Sequence, residues 1–149
     1  MSAAGLTLRP AAVDDAAAIA RLSGMFGYEA DADAHAGRLT LLLGRPEHAV
    51  WIADIDGEIR GWLHAMQRLS LESASYVEIA GLVVDEAARS QGIGARLVQA
   101  AEAWAVALGL REMRVRSNII RERAHAFYER AGYRAIKDQR VFAKALHVA

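Results

Sequence analysis

The chain opens on a short alternating segment, Leu6-Thr7-Leu8-Arg9-Pro10, in which apolar and polar positions take turns and a proline closes the run, as in a short strand. The period then lengthens. Ile19, Leu22, Met25 and Phe26 recur at helical spacing behind Asp14 and Asp15, either of which can cap the helix start. Residues 32–43 predict a second helix. The segment between the two, Gly27-Tyr28-Glu29-Ala30-Asp31, is a break that either lines a pocket or turns a corner. From His48 the pattern is strand-like: Ala49-Val50-Trp51-Ile52-Ala53, the turn Asp54-Ile55-Asp56-Gly57, and Ile59-Arg60-Gly61-Trp62-Leu63-His64 predict a hairpin. Tyr76-Val77-Glu78-Ile79-Ala80-Gly81-Leu82-Val83-Val84 is longer and almost continuously apolar, the signature of a strand covered on both faces. Glu78 is its one charge.

Ile93, Leu97, Val98, Ala101, Trp104, Ala105 and Leu108 then form the apolar stripe of a helix that ends near Gly109. Met113-Arg114-Val115-Arg116 predicts a further strand, residues 121–131 a shorter helix stopped by Gly132, and residues 133–136 and 141–144 two closing strands. The order β-α-α-β-β-β-α-β-α-β-β predicts an α/β chain (an α+β mixed sheet) with helices packed on the faces of the sheet. At 149 residues a single domain over 1–149 is expected, with no internal repeat, linker or low-complexity segment.

Composition removes several function classes. The absence of cysteine excludes disulfides, thiolate metal sites and a cysteine nucleophile. The five histidines show no metal spacing, so no metal is expected, and no Gly-x-Ser-x-Gly elbow supports a serine hydrolase. No stretch approaches the roughly 18 apolar residues of a membrane span, and the start of the chain lacks a basic segment followed by an apolar one, so a cytoplasmic location is expected. The zero net charge conceals an asymmetry. Residues 1–85 hold six basic and twelve acidic side chains and residues 86–149 the reverse, together the 18 and 18 of the whole chain. A basic half suits an anionic ligand such as a nucleotide and an acidic half a cationic substrate such as an amine, although solvated surface helices produce the same distribution. Nucleic acid is not an expected partner, because the chain is neutral and has no basic run interleaved with aromatics.

Core formation leaves the glycine loop and Glu78 unexplained. Gly92 and Gly94 lie where the apolar strand has ended and a long helix begins, so unpaired N–H groups and the positive end of the helix dipole converge there, flanked by Arg89 and Arg96. Such a loop cradles phosphate, or is a tight strand-to-helix turn that needs glycine for its dihedrals. A Walker A loop is excluded by the missing Gly-Lys-Ser/Thr. A dinucleotide fingerprint is excluded because Leu97 stands where a third glycine belongs and the next strand ends in Arg116-Ser117-Asn118 instead of an acid.

Arg89-Ser90-Gln91-Gly92-Ile93-Gly94 resembles the Gln/Arg-x-x-Gly-x-Gly/Ala signature of the GNAT superfamily of N-acetyltransferases. The resemblance runs from Tyr76 to about Lys144 and includes, in order, the strand, Asp85, the Gly-Ile-Gly loop, Asn118, Ala126-Phe127-Tyr128-Glu129 and Gly132-Tyr133. Within the superfamily, residues 77–84 and the ending Val141-Phe142-Ala143-Lys144 are similar to aminoglycoside 6'-N-acetyltransferases. The resemblance implies a sheet whose fourth and fifth strands splay to admit the pantetheine arm of acetyl-CoA. Gly81 then relaxes the strand at a bulge, or gives room to an aromatic neighbour. The implied coenzyme contacts are Leu82, Val83 and Val84, then Arg89, Ser90, Gln91, Gly92, Ile93, Gly94, Ala95 and Arg96, then Asn118, His125 and Tyr128. Asn118 is equally a loop or cap residue, and His125 equally a surface histidine or an alternative base.

Acetyl transfer to an amine requires removal of a proton, because an ammonium of pKa about 10 has no lone pair to attack with. Glu78 is the candidate base, directly or through water; otherwise it pairs with an arginine or faces solvent. The backbone N–H of Leu82 is the candidate oxyanion donor, a contribution of roughly 3 kcal/mol. Tyr128 matches the family tyrosine that protonates the departing thiolate, or is a core aromatic like Phe127. Tyr28 and Glu29, with Asp31 and Asp33, are candidate contacts for the acceptor. The expected acceptor is a primary amine of a small molecule such as an aminoglycoside or polyamine. A protein N-terminus or lysine is the second enzymatic possibility and a non-catalytic acyl-CoA sensor the third. The resemblance also implies a homodimer, without assigning an interface.

Overall fold

In the computed structural model, which describes residues 5–117 and 121–147, five strands form one sheet in the order β1-β2-β3-β4-β5. β1 (Leu6–Pro10), β2 (His48–Ile55), β3 (Glu58–Arg68) and β4 (Tyr76–Val84) pair antiparallel in succession, and β5 (Met113–Val115) joins β4 in parallel. Asp56 and Gly57, with φ of 51° and 88°, make the left-handed pair that a two-residue hairpin turn between β2 and β3 requires. All five strands and the first three helices, α1 (Ala16–Gly24), α2 (Ala32–Leu43) and α3 (Ile93–Ala107), lie in one compact unit, Met1–Arg116; a second unit, Ser117–Ala149, carries α4 (Glu122–Arg130). Among the described residues no helix is long and apolar enough to cross a membrane.

The two faces of the sheet are covered differently. Alternation along β3 sends Gly61, Leu63 and Ala65 to the α3 side, where they are buried with Leu97, Val98 and Ala101. Gly61 suits the close approach there, since a Cβ would lie 3.1 Å from the Val83 carbonyl and 3.3 Å from Ile93 and its neighbours would have to give. The opposite face packs Val50 and Ile52 of β2 and Trp62 of β3 against Ala16, Ile19 and Leu39 of α1 and α2. Leu22, Ile52, Leu63 and Leu97 are completely buried, each stabilising the fold by about 1.5–3 kcal/mol relative to exposure.

Three local expectations change in the structure. Asp15 does not cap α1 with its side chain. Its carboxylate turns back to accept from both terminal nitrogens of Arg9 and from the Ala12 N–H, all at 2.8 Å, tying β1 to the start of α1. α1 stops at Gly24, so Met25 and Phe26 fall beyond the helix and Met25 is exposed. The closing hairpin expected over 133–136 and 141–144 is not formed: residues 133–147 carry no strand, neither segment pairs with the other, and Val141 and Phe142 are 86% and 87% exposed. Alternation without a partner edge leaves backbone groups to water, and it does not by itself make a strand. α4 ends as expected at Gly132, whose φ of 96° is left-handed, and the Tyr133 N–H returns to the Tyr128 carbonyl at 2.9 Å.

Candidate functional site

The site grows from a discontinuity in β4. Its register with β3 runs Gly81↔His64 and then Ile79↔Ala65, which leaves Ala80 as the extra residue of a β-bulge. The bulge therefore lies at Ala80, one residue before the glycine expected to form it. Gly81 serves the other purpose: a Cβ there would be 2.8 Å from the Trp62 ring. On the far edge, β5 pairs with β4 only at Val77, Glu78 and Ile79. β5 ends at Val115, level with Ile79 and before the bulge.

Hydrogen-bond alternation decides which backbone groups face that gap. The Asp85 N–H bonds the Arg60 carbonyl at 2.7 Å. In an antiparallel pair every second residue addresses the same neighbour, so Val83 and Gly81 also turn to β3, whereas Leu82 and Val84 point their N–H and C=O groups to the opposite edge. Among the described residues no strand pairs with that edge past Ile79.

β4 leads into the glycine loop through Asp85, which is 3% exposed and holds the corner. Its carboxylate accepts from the Ala87 N–H at 3.0 Å and from Arg60 at 2.9 Å. Burial pushes this carboxyl up, but the Ala87 N–H and the Arg60 guanidinium together outweigh it and hold the group below the usual carboxylate range. Past a short 3₁₀ turn at Glu86–Ala88, Ser90 and Gly92 both adopt left-handed backbone, with φ of 71° and 76°. Gly92 caps α3 without any side-chain hydrogen bond, and the first helical bond comes from the Arg96 N–H to the Gly92 carbonyl at 3.0 Å. The N–H groups of Ile93, Gly94 and Ala95 therefore precede the helical ladder at the positive end of a 15-residue helix, the arrangement that binds an anion. Arg89 is held at the loop by Glu86 (3.6 Å) and by the Phe26 ring, whose centroid lies 5.2 Å from its guanidinium carbon. Arg96 is exposed on the first turn.

Glu78 sits in the last doubly paired stretch of β4, on the Trp62 and His64 face of the sheet, since it is opposite Met66. Its side chain is 12% exposed. Arg116 places Nε 3.1 Å from Glu78 Oε1, close enough for an ion pair, yet off the hydrogen-bond direction, so this buried oxygen accepts no hydrogen bond among the described residues. The arginine partner and the candidate base role thus meet on one carboxylate. The acids near the N-terminal break have other partners. Glu29 pairs with Arg38 at 3.2 Å, Asp31 caps α2 by accepting from the Asp33 and Ala34 N–H groups, and Asp33 lies in the first turn of that helix. Tyr28 is exposed beside them.

In the second unit, Tyr128 packs edge-on against Phe127 and Tyr133, with ring centroids 5.1 and 5.8 Å away. Burial pushes its phenol up to about 12. His125 lies on the same helix. Asn118 lies outside the described residues.

Two features were not signalled by motif. Arg116, at the end of β5, reaches Glu78 only because the parallel pairing Glu78↔Arg114 brings the strand ends together. His48 and His64 stack with centroids 5.2 Å apart and share a 2.9 Å hydrogen bond from Nδ1 of one to Nε2 of the other. Burial, then the neighbouring His48, pushes His64 down to about 4, so its ring is neutral at physiological pH. Hairpin register was the available signal: Val50↔His64 and His48↔Met66 put both rings on one face.

Residues 16–133 match the model of the acetyltransferase (GNAT) family. An aminoglycoside N(6')-acetyltransferase type 1 from Stenotrophomonas maltophilia is 33% identical over 138 residues, covering 89% of each chain. The solved aminoglycoside 6'-N-acetyltransferase AAC(6')-Ih from Acinetobacter baumannii superposes with a TM-score of 0.85 over 96% of this chain and 100% of its own, at 19% identity. The aminoglycoside N-acetyltransferase AAC(6')-Iy in complex with CoA superposes with a TM-score of 0.84 over 93% and 94%, at 20% identity.

Proposed function

The chain belongs to the acetyltransferase (GNAT) family and is an N-acetyltransferase, and on that premise we propose that it moves an acetyl group from acetyl-CoA directly to a primary amine of a small molecule. One observation carries this reading. The amides of Leu82 and Val84, on the edge of β4 that no described strand pairs, and the left-handed loop at Ser90 and Gly92 form successive donor groups along one stretch of chain. The loop suits a pyrophosphate and the open edge suits the amides and carbonyl of a pantetheine arm, so the residues fit the coenzyme. When bound, acetyl-CoA supplies the activated acetyl thioester.

The chain's own groups do the rest. Ser90, Gln91, Gly92, Ile93, Gly94 and Ala95 present the loop amides, with Arg89 and Arg96 adding charge, and Val83 buries the strand between the two exposed amides. The Leu82 N–H stabilises negative charge that develops on the carbonyl oxygen. Glu78, with a buried oxygen that accepts no hydrogen bond, takes the proton from the acceptor ammonium, and Arg116 holds the carboxylate in place. Tyr128 is the proposed donor to the departing sulfur. Because burial lifts its phenol to about 12, it serves as a hydrogen-bond donor that stays protonated and not as a strong acid. Asn118 and His125 are proposed coenzyme contacts, and Tyr28 and Glu29 acceptor contacts, by their places in the family order. The names of the similar proteins make aminoglycosides, and with them polyamines, the first acceptors to test.

Release of free thiol from acetyl-CoA in the presence of a panel of amines tests the reading. We expect turnover with at least one small amine, a loss of about 100-fold in kcat for Glu78→Gln with acetyl-CoA binding kept, and only a several-fold loss for Tyr128→Phe. Thiol release with peptides alone would replace the small-molecule acceptor by a protein one. Coenzyme binding without release under any condition would leave a sensor.

A further inference from the structure

A groove on the α2 side of the sheet is built for charge of the wrong sign to receive a polycation. One chamber of about 470 Å³ is lined by Arg38, Leu41, Leu42, Arg45, His48 and His64. A second, of about 180 Å³, shares Arg38, Leu42 and His64 with it and adds His35 and Trp62 among its walls. The combined space is of the size that holds a small molecule. Among the described residues its polar lining consists of guanidinium groups, imidazoles and the Trp62 indole, and no carboxylate lines either chamber. That is unexpected on composition, because the first 85 residues carry twice as many acids as bases.

The donors are available. No hydrogen bond or ion pair engages the Arg45 side chain among the described residues, and Trp62 Nε1 is buried without an acceptor. Among the described residues Arg38 is paired only with Glu29, in a contact 60% and 52% exposed on its two sides, which exchanges readily with solvent or ligand. Arg38 stands on α2 and Arg45 just past its end, beyond the Gly44 cap, with Leu41 and Leu42 of the last helical turn between them along the lining. The wall thus alternates cation, apolar surface and cation.

The groove adjoins the transfer site. His64 is the register partner of Gly81, the residue before the Leu82 amide, and it shares a sheet face with Glu78. We propose that the acceptor is a small amine that also bears an anionic group, a carboxylate or a phosphate, on an apolar body, and that Arg45 with Arg38 binds that anion. This rests on the acetyl-transfer reading and narrows its acceptor away from aminoglycosides and polyamines. Arginine suits the task because its planar fork meets two oxygens of such a group at once.

The test compares ω-amino carboxylates of increasing chain length and a phosphorylated amino alcohol with their uncharged counterparts, the amides and the free amino alcohol, and with an aminoglycoside, by thiol release. At least one anionic amine should exceed its uncharged counterpart by about tenfold in kcat/KM, the worth of one good charge-assisted contact. Arg45→Glu should abolish that preference, with the loss appearing in KM and not in kcat, and Arg45→Lys should restore part of it. Equal turnover of anionic and uncharged amines, or a preference that survives Arg45→Glu, would overturn the proposal while leaving acetyl transfer standing. So would an aminoglycoside that outperforms every anionic amine. The imidazole signals of His48 and His64, titrated with the same ω-amino carboxylates, separate the remaining case. Ring shifts in the wild type that vanish in Arg45→Glu, without thiol release from any amine, would sink the transfer reading and the acceptor role but keep an anion site; neither shift nor release would remove both.

Discussion

The two halves of β4 share a strand and little else. From Val77 to Ile79 it is paired on both edges, and Tyr76, Val77 and Ile79 are buried; from Gly81 to Val84 it is paired, among the described residues, only with β3, and Ala80 is exposed. A single extra residue at Ala80 separates them. The first half holds the sheet together, and the second turns backbone amides outward. The lesson is that a strand gains reactive surface by losing a partner, without a change in side-chain character: both halves are almost uniformly apolar, so the difference lies in what the backbone groups are bonded to.

Removing one outward amide should have the largest effect. Leu82→Pro deletes the N–H facing the gap, and proline is tolerated where no ladder bond is lost. We expect kcat to fall by about 100- to 1,000-fold, equivalent to roughly 3–4 kcal/mol, with thermal unfolding showing that the sheet persists. Retained activity in a folded protein would show that the open edge is not where the chemistry occurs. The reciprocal change in the first half is Ile79→Ala. Ile79 is 2% exposed, and its truncation should destabilise the fold by about 2–4 kcal/mol in denaturant titration, while the protein that remains folded keeps its turnover. A drop in kcat as large as that of Leu82→Pro would erase the division between the halves.

A smaller effect is expected from His64, the register partner of Gly81. Its folded pKa of about 4 lies below the unfolded value, so the unfolded chain takes up the proton first and stability falls as pH drops from about 6.5 toward 4, then levels off. After allowance for partial solvent exposure the contribution is about 2 kcal/mol. His64→Gln should flatten this part of the stability curve. Asp15 and Asp85 act in a different window. The Arg9 pair holds Asp15 below the usual carboxylate range against the cost of its burial, and Asp85 is likewise depressed. Their stabilisation is present above that range and is lost only as pH falls through the folded values, so it survives in His64→Gln.

Periodicity made most of the first unit legible. β1, α2 and β4 were expected with the bounds they have, because each is punctuated chemically: Pro10 at the end of β1, Asp31 before α2, and Asp85 after β4. The loop was legible because glycine spacing at a strand-to-helix junction has few physical uses. Pairing was not legible. That Gly81 yields to Trp62 while Ala80 takes the bulge depends on cross-strand register, as do the meeting of Arg116 with Glu78 and the stacking of His48 on His64. The two closing strands show the converse, since alternation at 133–136 and 141–144 predicted elements that the described residues do not form.

The approach of Trp62 to Gly81 also constrains the order in which this chain can change. The indole crowds the place of the missing Cβ, with its nearest atoms 2.8 and 2.9 Å from it. A side chain introduced at 81 would therefore meet an aromatic ring in the middle of the sheet, whereas a smaller residue at 62 would meet only space. Evolution or engineering can reach a bulkier residue beside the open edge by shrinking position 62 first, and the reverse order passes through a damaged intermediate. The two positions form a ratchet that preserves the narrowness of the strand at the bend.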